Sequence, residues 1–162
     1  QRMGLISFIR EAGEKLFGKE VKAAEADPSR VAEANLAAAT AIEKHVGGFN
    51  LPITALTVTF DVTTGTAKVY GVAKDQATKE RAILAAGNVE GVQKIDDQMT
   101  VEVASAPPAQ YYTVVKGDTL SKIAKQFYGD ANAYNAIFEA NQPMLKHPDK
   151  IYPGQNLRIP PR

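Results

Sequence analysis

Cysteine is absent from the 162-residue chain, and with it go disulfide frameworks, thiolate metal sites and cysteine nucleophiles. An excess of one charge is missing too: 19 basic residues face 18 acidic ones, so no broad positive field draws nucleic acid or an anionic membrane. No stretch approaches the roughly 18 consecutive apolar residues that a membrane span requires. Histidine occurs only twice, as His45 and His147. The two fall in different expected domains with no acidic cluster at ligand spacing, and read as surface residues rather than zinc ligands or triad members. Asp96 and Asp97 are neighbours on an expected strand, so their side chains point to opposite faces; they read as solvated rather than as a general acid–base pair. Neither G-x-G-x-x-G nor G-x-x-x-x-G-K-[ST] occurs, so phosphate cradles of those kinds are not indicated. An enzyme is not expected.

What is present is the composition of an ordinary soluble globular protein, 44% apolar and 23% charged, in a chain long enough for two small domains with modest cores. Gln1-Arg2-Met3-Gly4 marks Met3 as the expected natural start, with two residues left over from processing. Leu5, Phe8, Ile9, Ala12 and Leu16 recur at helical spacing opposite Ser7, Arg10, Glu11, Glu14 and Lys15, which predicts a short amphipathic helix within 3–26, docked on a core, with membrane anchoring as the alternative that its balanced charges disfavour. The charges breaking the stretch 5–17 leave no signal-peptide apolar region, so secretion is not expected and the chain is placed in the cytoplasm.

Asp27-Pro28 then opens a second helix carrying Val31, Asn35, Ala38, Ile42 and Val46 on one stripe, ended by Gly47-Gly48. Leu56, Val58 and Phe60 alternate with polar residues, and after Thr63-Thr64-Gly65 the run 67–72 alternates again, which is a hairpin. Asp75 caps a third helix to about Gly87, and 92–103 reads as a last strand. Segment 27–103 is thus helix, strand, strand, helix, strand, most economically a three-stranded sheet covered on one face by helices. Segment 104–110, with Pro107-Pro108, is the linker. Segment 111–161 reads as a compact β-α-α-β unit: strand at Tyr112-Thr113-Val114, a helix from Asp118-Thr119 to Gly129, a helix carrying Tyr134, Ile137 and Phe138, a type II turn at Tyr152-Pro153-Gly154-Gln155, and a strand at Leu157-Arg158-Ile159. The expected class is α+β, in two small domains.

The C-terminal motifs Tyr112-Thr113-Val114, Lys116-Gly117-Asp118-Thr119-Leu120, Ile123-Ala124, Asn141, Ile151-Tyr152-Pro153-Gly154-Gln155 and Leu157-Arg158-Ile159-Pro160 resemble a LysM domain throughout its length. The central segment, with its Thr-rich hairpin, Val69-Tyr70-Gly71-Val72 and Asn88-Val89-Glu90-Gly91-Val92, resembles a BON domain. In this order, and preceded by Met3-Gly4-Leu5, Phe8 and Glu11-Ala12-Gly13-Glu14-Lys15-Leu16, the two are similar over nearly the whole chain to the family of cytoplasmic potassium-binding BON–LysM proteins. The departure is a longer alanine-rich stretch at 21–41.

The resemblance implies a monomeric potassium sensor or buffer, without nucleic acid or membrane partners. Potassium is commonly held by backbone carbonyls, which helix C-termini and glycine turns can converge. Aligned on the resemblance, the K+ set is the main-chain oxygens of Ile9, Ala12, Glu14, Gly87, Val89 and Val92, with Gly13 letting the N-terminal helix open. The same glycines, Gly87 and Gly91, also read simply as a helix cap and a strand start. An ion bound only by an assembled form would stabilise a compact BON–LysM arrangement. The LysM resemblance implies an alternative function, an envelope protein binding N-acetylglucosamine-containing peptidoglycan between Gly117-Asp118-Thr119-Leu120 and 141–144, with Asn141 and Ile151 beside the sugar. Asp118 or Thr119 reads equally as a helix cap, and the LysM unit equally as an ion-dependent lid on its neighbour. A purely structural adaptor is the third option.

Overall fold

The computed structural model describes residues 5–8, 13, 15–16, 26–103 and 109–161. The first described element is strand β1 (Leu5–Ser7), not a helix. It pairs antiparallel with 94–96 of a later strand, Leu5 opposite Asp96 and Ser7 opposite Lys94, and Phe8 N–H continues the ladder to the Gln93 carbonyl at 2.8 Å. The helical spacing of Leu5, Phe8 and Ile9 was real but lost to an edge: without β1 a row of backbone groups would be left unpaired there.

Asp27 caps a 3-10 turn, Pro28–Arg30, by accepting from Ser29 N–H, and the chain runs on into α1 (Val31–Gly47). Its inward stripe is Ala34, Ala38, Ala39, Ile42 and Val46, small enough for close approach to the sheet. Strands β2 (Ile53–Asp61) and β3 (Thr66–Asp75) form the expected hairpin. Asp75 then caps α2 (Gln76–Gly87), accepting from Thr78 N–H at 2.8 Å. Strand β4 (Lys94–Val103) lies parallel to β3, so α2 is the crossover. The sheet order is β1-β4-β3-β2, four strands where three were expected. Asn35 and Glu43 on α1 accept the Val62 and Val58 amides, tying the helix to the outer edge of the hairpin.

Alternation along β4 sends Asp97 inward between Ile95 and Met99, so it is 5% exposed rather than solvated. Its charge is met by Lys79 of α2 at 3.0 Å, and it also accepts the Met99 amide.

The C-terminal unit is β5 (Gln110–Thr113), α3 (Leu120–Tyr128), α4 (Tyr134–Ala140) and β6 (Asn156–Ile159), with β5 and β6 antiparallel. Thr119 caps α3 and Gly129, at φ 73°, closes it. Gln110, expected as the end of the linker, already belongs to β5. Leu120, Ile123, Ile137, Leu145 and Leu157 form a second core, separate from the first around Ile42, Ile83, Leu84, Ile95 and Met99. Two cores and mixed elements make the α+β, two-domain class that the sequence predicts. Among the described residues, no helix is long and apolar enough to cross a membrane.

Candidate functional site

The turn after α2 is held at every step. Asn88 N–H still bonds the Leu84 carbonyl at 2.9 Å, but its own backbone has left the helix. Val92 N–H closes on the Val89 carbonyl at 3.0 Å, and Gly91, third in that turn, sits at φ 102°, where a type II turn requires glycine. The side chains of Val89 and Val92 are fully buried, and the amides of Gln93 and Lys94 both reach the Gly65 carbonyl of the hairpin turn. Gly87, Val89 and Val92 are thereby gathered at the negative end of α2, where terminal carbonyls lack helical partners. Gly87 ends α2 and Gly91 lies in the turn that leads to β4.

Two close approaches bring the N-terminal segment onto this turn. The Phe8 ring occupies the place that a Cβ on Gly87 would need. Gly13, at φ 105°, lies so close that a Cβ there would collide with the carbonyl of Asn88. The two stretches singled out in the sequence therefore meet. Ile9, Ala12 and Glu14 themselves lie outside the described residues.

The same turn also grips the C-terminal domain. Asn88 Nδ2 donates to the Asn156 carbonyl and Asn88 Oδ1 accepts the Asn156 amide, each at 2.9 Å. Asn156 Nδ2 in turn donates to the Ser7 carbonyl at 3.0 Å, and the Thr113 hydroxyl donates to Asn156 Oδ1. One asparagine on β6 thus joins β1, the α2 turn and β5. Deeper in the interface, Arg158 Nε meets Glu80 Oε1 at 2.7 Å with both side chains buried. Glu80 Oε2 accepts from Gln76 and from the Ala109 amide. Arg158 and Arg81 both donate to carbonyls at the end of α4, and burial pushes the Tyr111 phenol well above its ordinary value, with the Glu80 charge adding to it. Sequence reading gave none of these residues a partner across the interface, because nothing local links positions 68 or 78 residues apart.

The residues expected around a sugar are placed as follows. Asp118 accepts the Tyr112 hydroxyl at 2.6 Å and the Val115 amide at 2.9 Å, which hold its carboxyl below the usual value. Thr119 is the helix cap, accepting from Lys122 N–H. Gly117, at φ 91°, faces open space. Asn141, expected to offer its amide to a ligand, is 2% exposed: Nδ2 donates to the carbonyls of Ile137 and Arg158, and Oδ1 accepts the Arg158 amide. It ties α4 to β6, as a buried amide with matched partners should. Ile151 is half-buried against the second core.

The fold and this junction define a two-domain BON–LysM protein. The BON domain family matches residues 33–103 and the LysM domain family residues 112–160. Across 98% of its length the chain is 44% identical to the potassium binding protein Kbp of Escherichia coli, covering 99% of that protein, and it belongs to the family of Kbp. More partial likenesses are to an uncharacterized protein of Deinococcus radiodurans, 53% identical over 30% of this chain and 19% of that one, and to the uncharacterized protein YqbP of Bacillus subtilis, 42% identical over 35% of this chain and 29% of that one.

Proposed function

We propose that this protein is a cytoplasmic, monomeric, non-enzymatic potassium binder, a sensor or buffer, in which main-chain oxygens of Ile9, Ala12, Glu14, Gly87, Val89 and Val92 surround the ion. The observation that carries the reading is the approach of Gly13 to the Asn88–Val89 peptide, which puts the N-terminal segment against the carbonyl-rich end of α2. Carbonyl dipoles can replace the hydration shell of K+, and the name of the E. coli relative supports that choice of ion. Because Asn88 also holds Asn156 of the LysM domain, an ion that orders the turn would favour the docked arrangement by mass action.

The test is an NMR titration of metal-free protein with KCl against NaCl at equal ionic strength. Amide shifts concentrated at 9–14 and 87–92 that saturate with K+ alone are expected. Equal weak responses to both salts would overturn the reading. The alternative, peptidoglycan binding through the LysM domain, keeps the open Gly117 loop but has Asn141 withdrawn into the core.

A further inference from the structure

We infer a second ligand site, in the cleft between the C-terminal end of α1 and the segment joining α4 to β6, for a phosphorylated small molecule carrying a planar ring, that is, a nucleotide. The cleft measures about 700 Å³, within the range of ordinary small-molecule sites. Its walls come from opposite domains, so only the docked arrangement forms it; it does not depend on potassium being the ion bound.

Charge points to the phosphate. Lys44 from one wall and Lys146 and Lys150 from the other line the cleft, and among the described residues no acidic one does. Among the described residues none of these three ammonium groups is in an ion pair. A chain with a net charge of +1 has thus lined one cleft with three cations that are not ion-paired among the described residues, a repulsion that a polyanion would relieve; lysine is a point-charge partner for phosphate. Lys44 lies in the last turn of α1, where a cation also offsets the helix's negative end. That accounts for one wall and not for Lys146 and Lys150. Asp149 approaches His147 at 3.8 Å but is strongly exposed and outside the lining.

The rest of the lining points to the ring. His45 and Phe49 meet edge to face at 5.1 Å, Tyr152 stands on the other wall, and Met144, Leu145 and Ala85 complete the apolar surface. Aromatic faces of this kind stack on planar heterocycles. The two histidines of the chain, placed in different domains by the sequence, both border this cleft.

The full-length protein is titrated by calorimetry with ADP, pyrophosphate and adenosine at fixed salt, with NMR shifts recorded in parallel. Saturable ADP binding is expected, with shifts confined to 44–49 and 144–155. Lys146→Gln/Lys150→Gln should weaken it by at least about tenfold, the loss of one or two charge-assisted contacts, with the melting temperature kept. Lys68→Gln/Lys74→Gln lowers net charge equally on exposed positions of β3 and should leave affinity unchanged. An equal loss in both double variants, or shifts spread over all lysines without saturation, would overturn the site. Pyrophosphate binding as tightly as ADP would overturn the assignment of the aromatic walls to a ring.

Discussion

Asn88→Ala isolates the clasp between the two domains. The substitution deletes both bonds from the Asn88 side chain and leaves the amide and carbonyl of Asn156, a residue 3% exposed, without those partners. Each lost bond costs on the order of 1 kcal/mol net, and more where the orphaned group stays dry, so about 2–4 kcal/mol should leave the docking equilibrium. That is a roughly thirty- to thousand-fold shift toward the undocked form. The turn itself should persist, because its closure from Val92 to Val89 and the Asn88 bond to Leu84 are backbone bonds. Undocking is read from amide hydrogen exchange at Asn156 and Thr113 and from the radius of gyration. Under the linkage proposed here, apparent potassium affinity should fall in the same direction. Unchanged exchange and unchanged affinity in Asn88→Ala would refute the reasoning, since the clasp would then contribute nothing to either.

Gly13→Ala forces an L side chain to φ 105° and drives its Cβ into the Asn88 carbonyl. It should weaken potassium binding by roughly five- to 150-fold, as a strained residue costing about one to three kcal/mol would, measured in the same titration. Arg158→Met leaves Glu80 buried without its cation and should cost about 3–5 kcal/mol in urea denaturation. Adding Glu80→Gln should recover a substantial part of that loss, because what remains is then a neutral, hydrogen-bonded amide. Asp118 is held below its ordinary 3.8, first by the Tyr112 hydroxyl and then by the Val115 amide. Its contribution to stability is therefore present above that ordinary value and is lost as pH falls through its lower folded value. Melting temperature should decline as pH falls from about 5 to about 3, with a small part of the slope due to this half-buried group, a part that Asp118→Asn removes.

Much of the fold was legible because it is written in local chemistry. Asp27, Asp75 and Thr119 cap helices within three residues of themselves, Gly129 closes one in the left-handed region, and the β2–β3 hairpin follows from alternation. Legibility failed where a local preference met a distant partner. Leu5–Ser7 carried a helical pattern and became a strand because β4 offered an open edge. Asp97 was expected in solvent and is buried because Lys79 waits on α2. Asn141 carried the look of a ligand residue and is spent joining α4 to β6.

By itself, then, the sequence determined the two domains, the order of the elements within 27–103 and 111–161, and the glycine-flanked turn after α2, because periodicity, caps and turns act over a few residues. Only the tertiary structure decided that Gly13 rests on that turn, that Asn88 and Glu80 hold Asn156 and Arg158 across the interface, and that His45 and His147 border one cleft. Those pairings depend on how one finished surface docks on another, and many polar residues along the chain offer donors and acceptors that would serve equally well until docking selects among them.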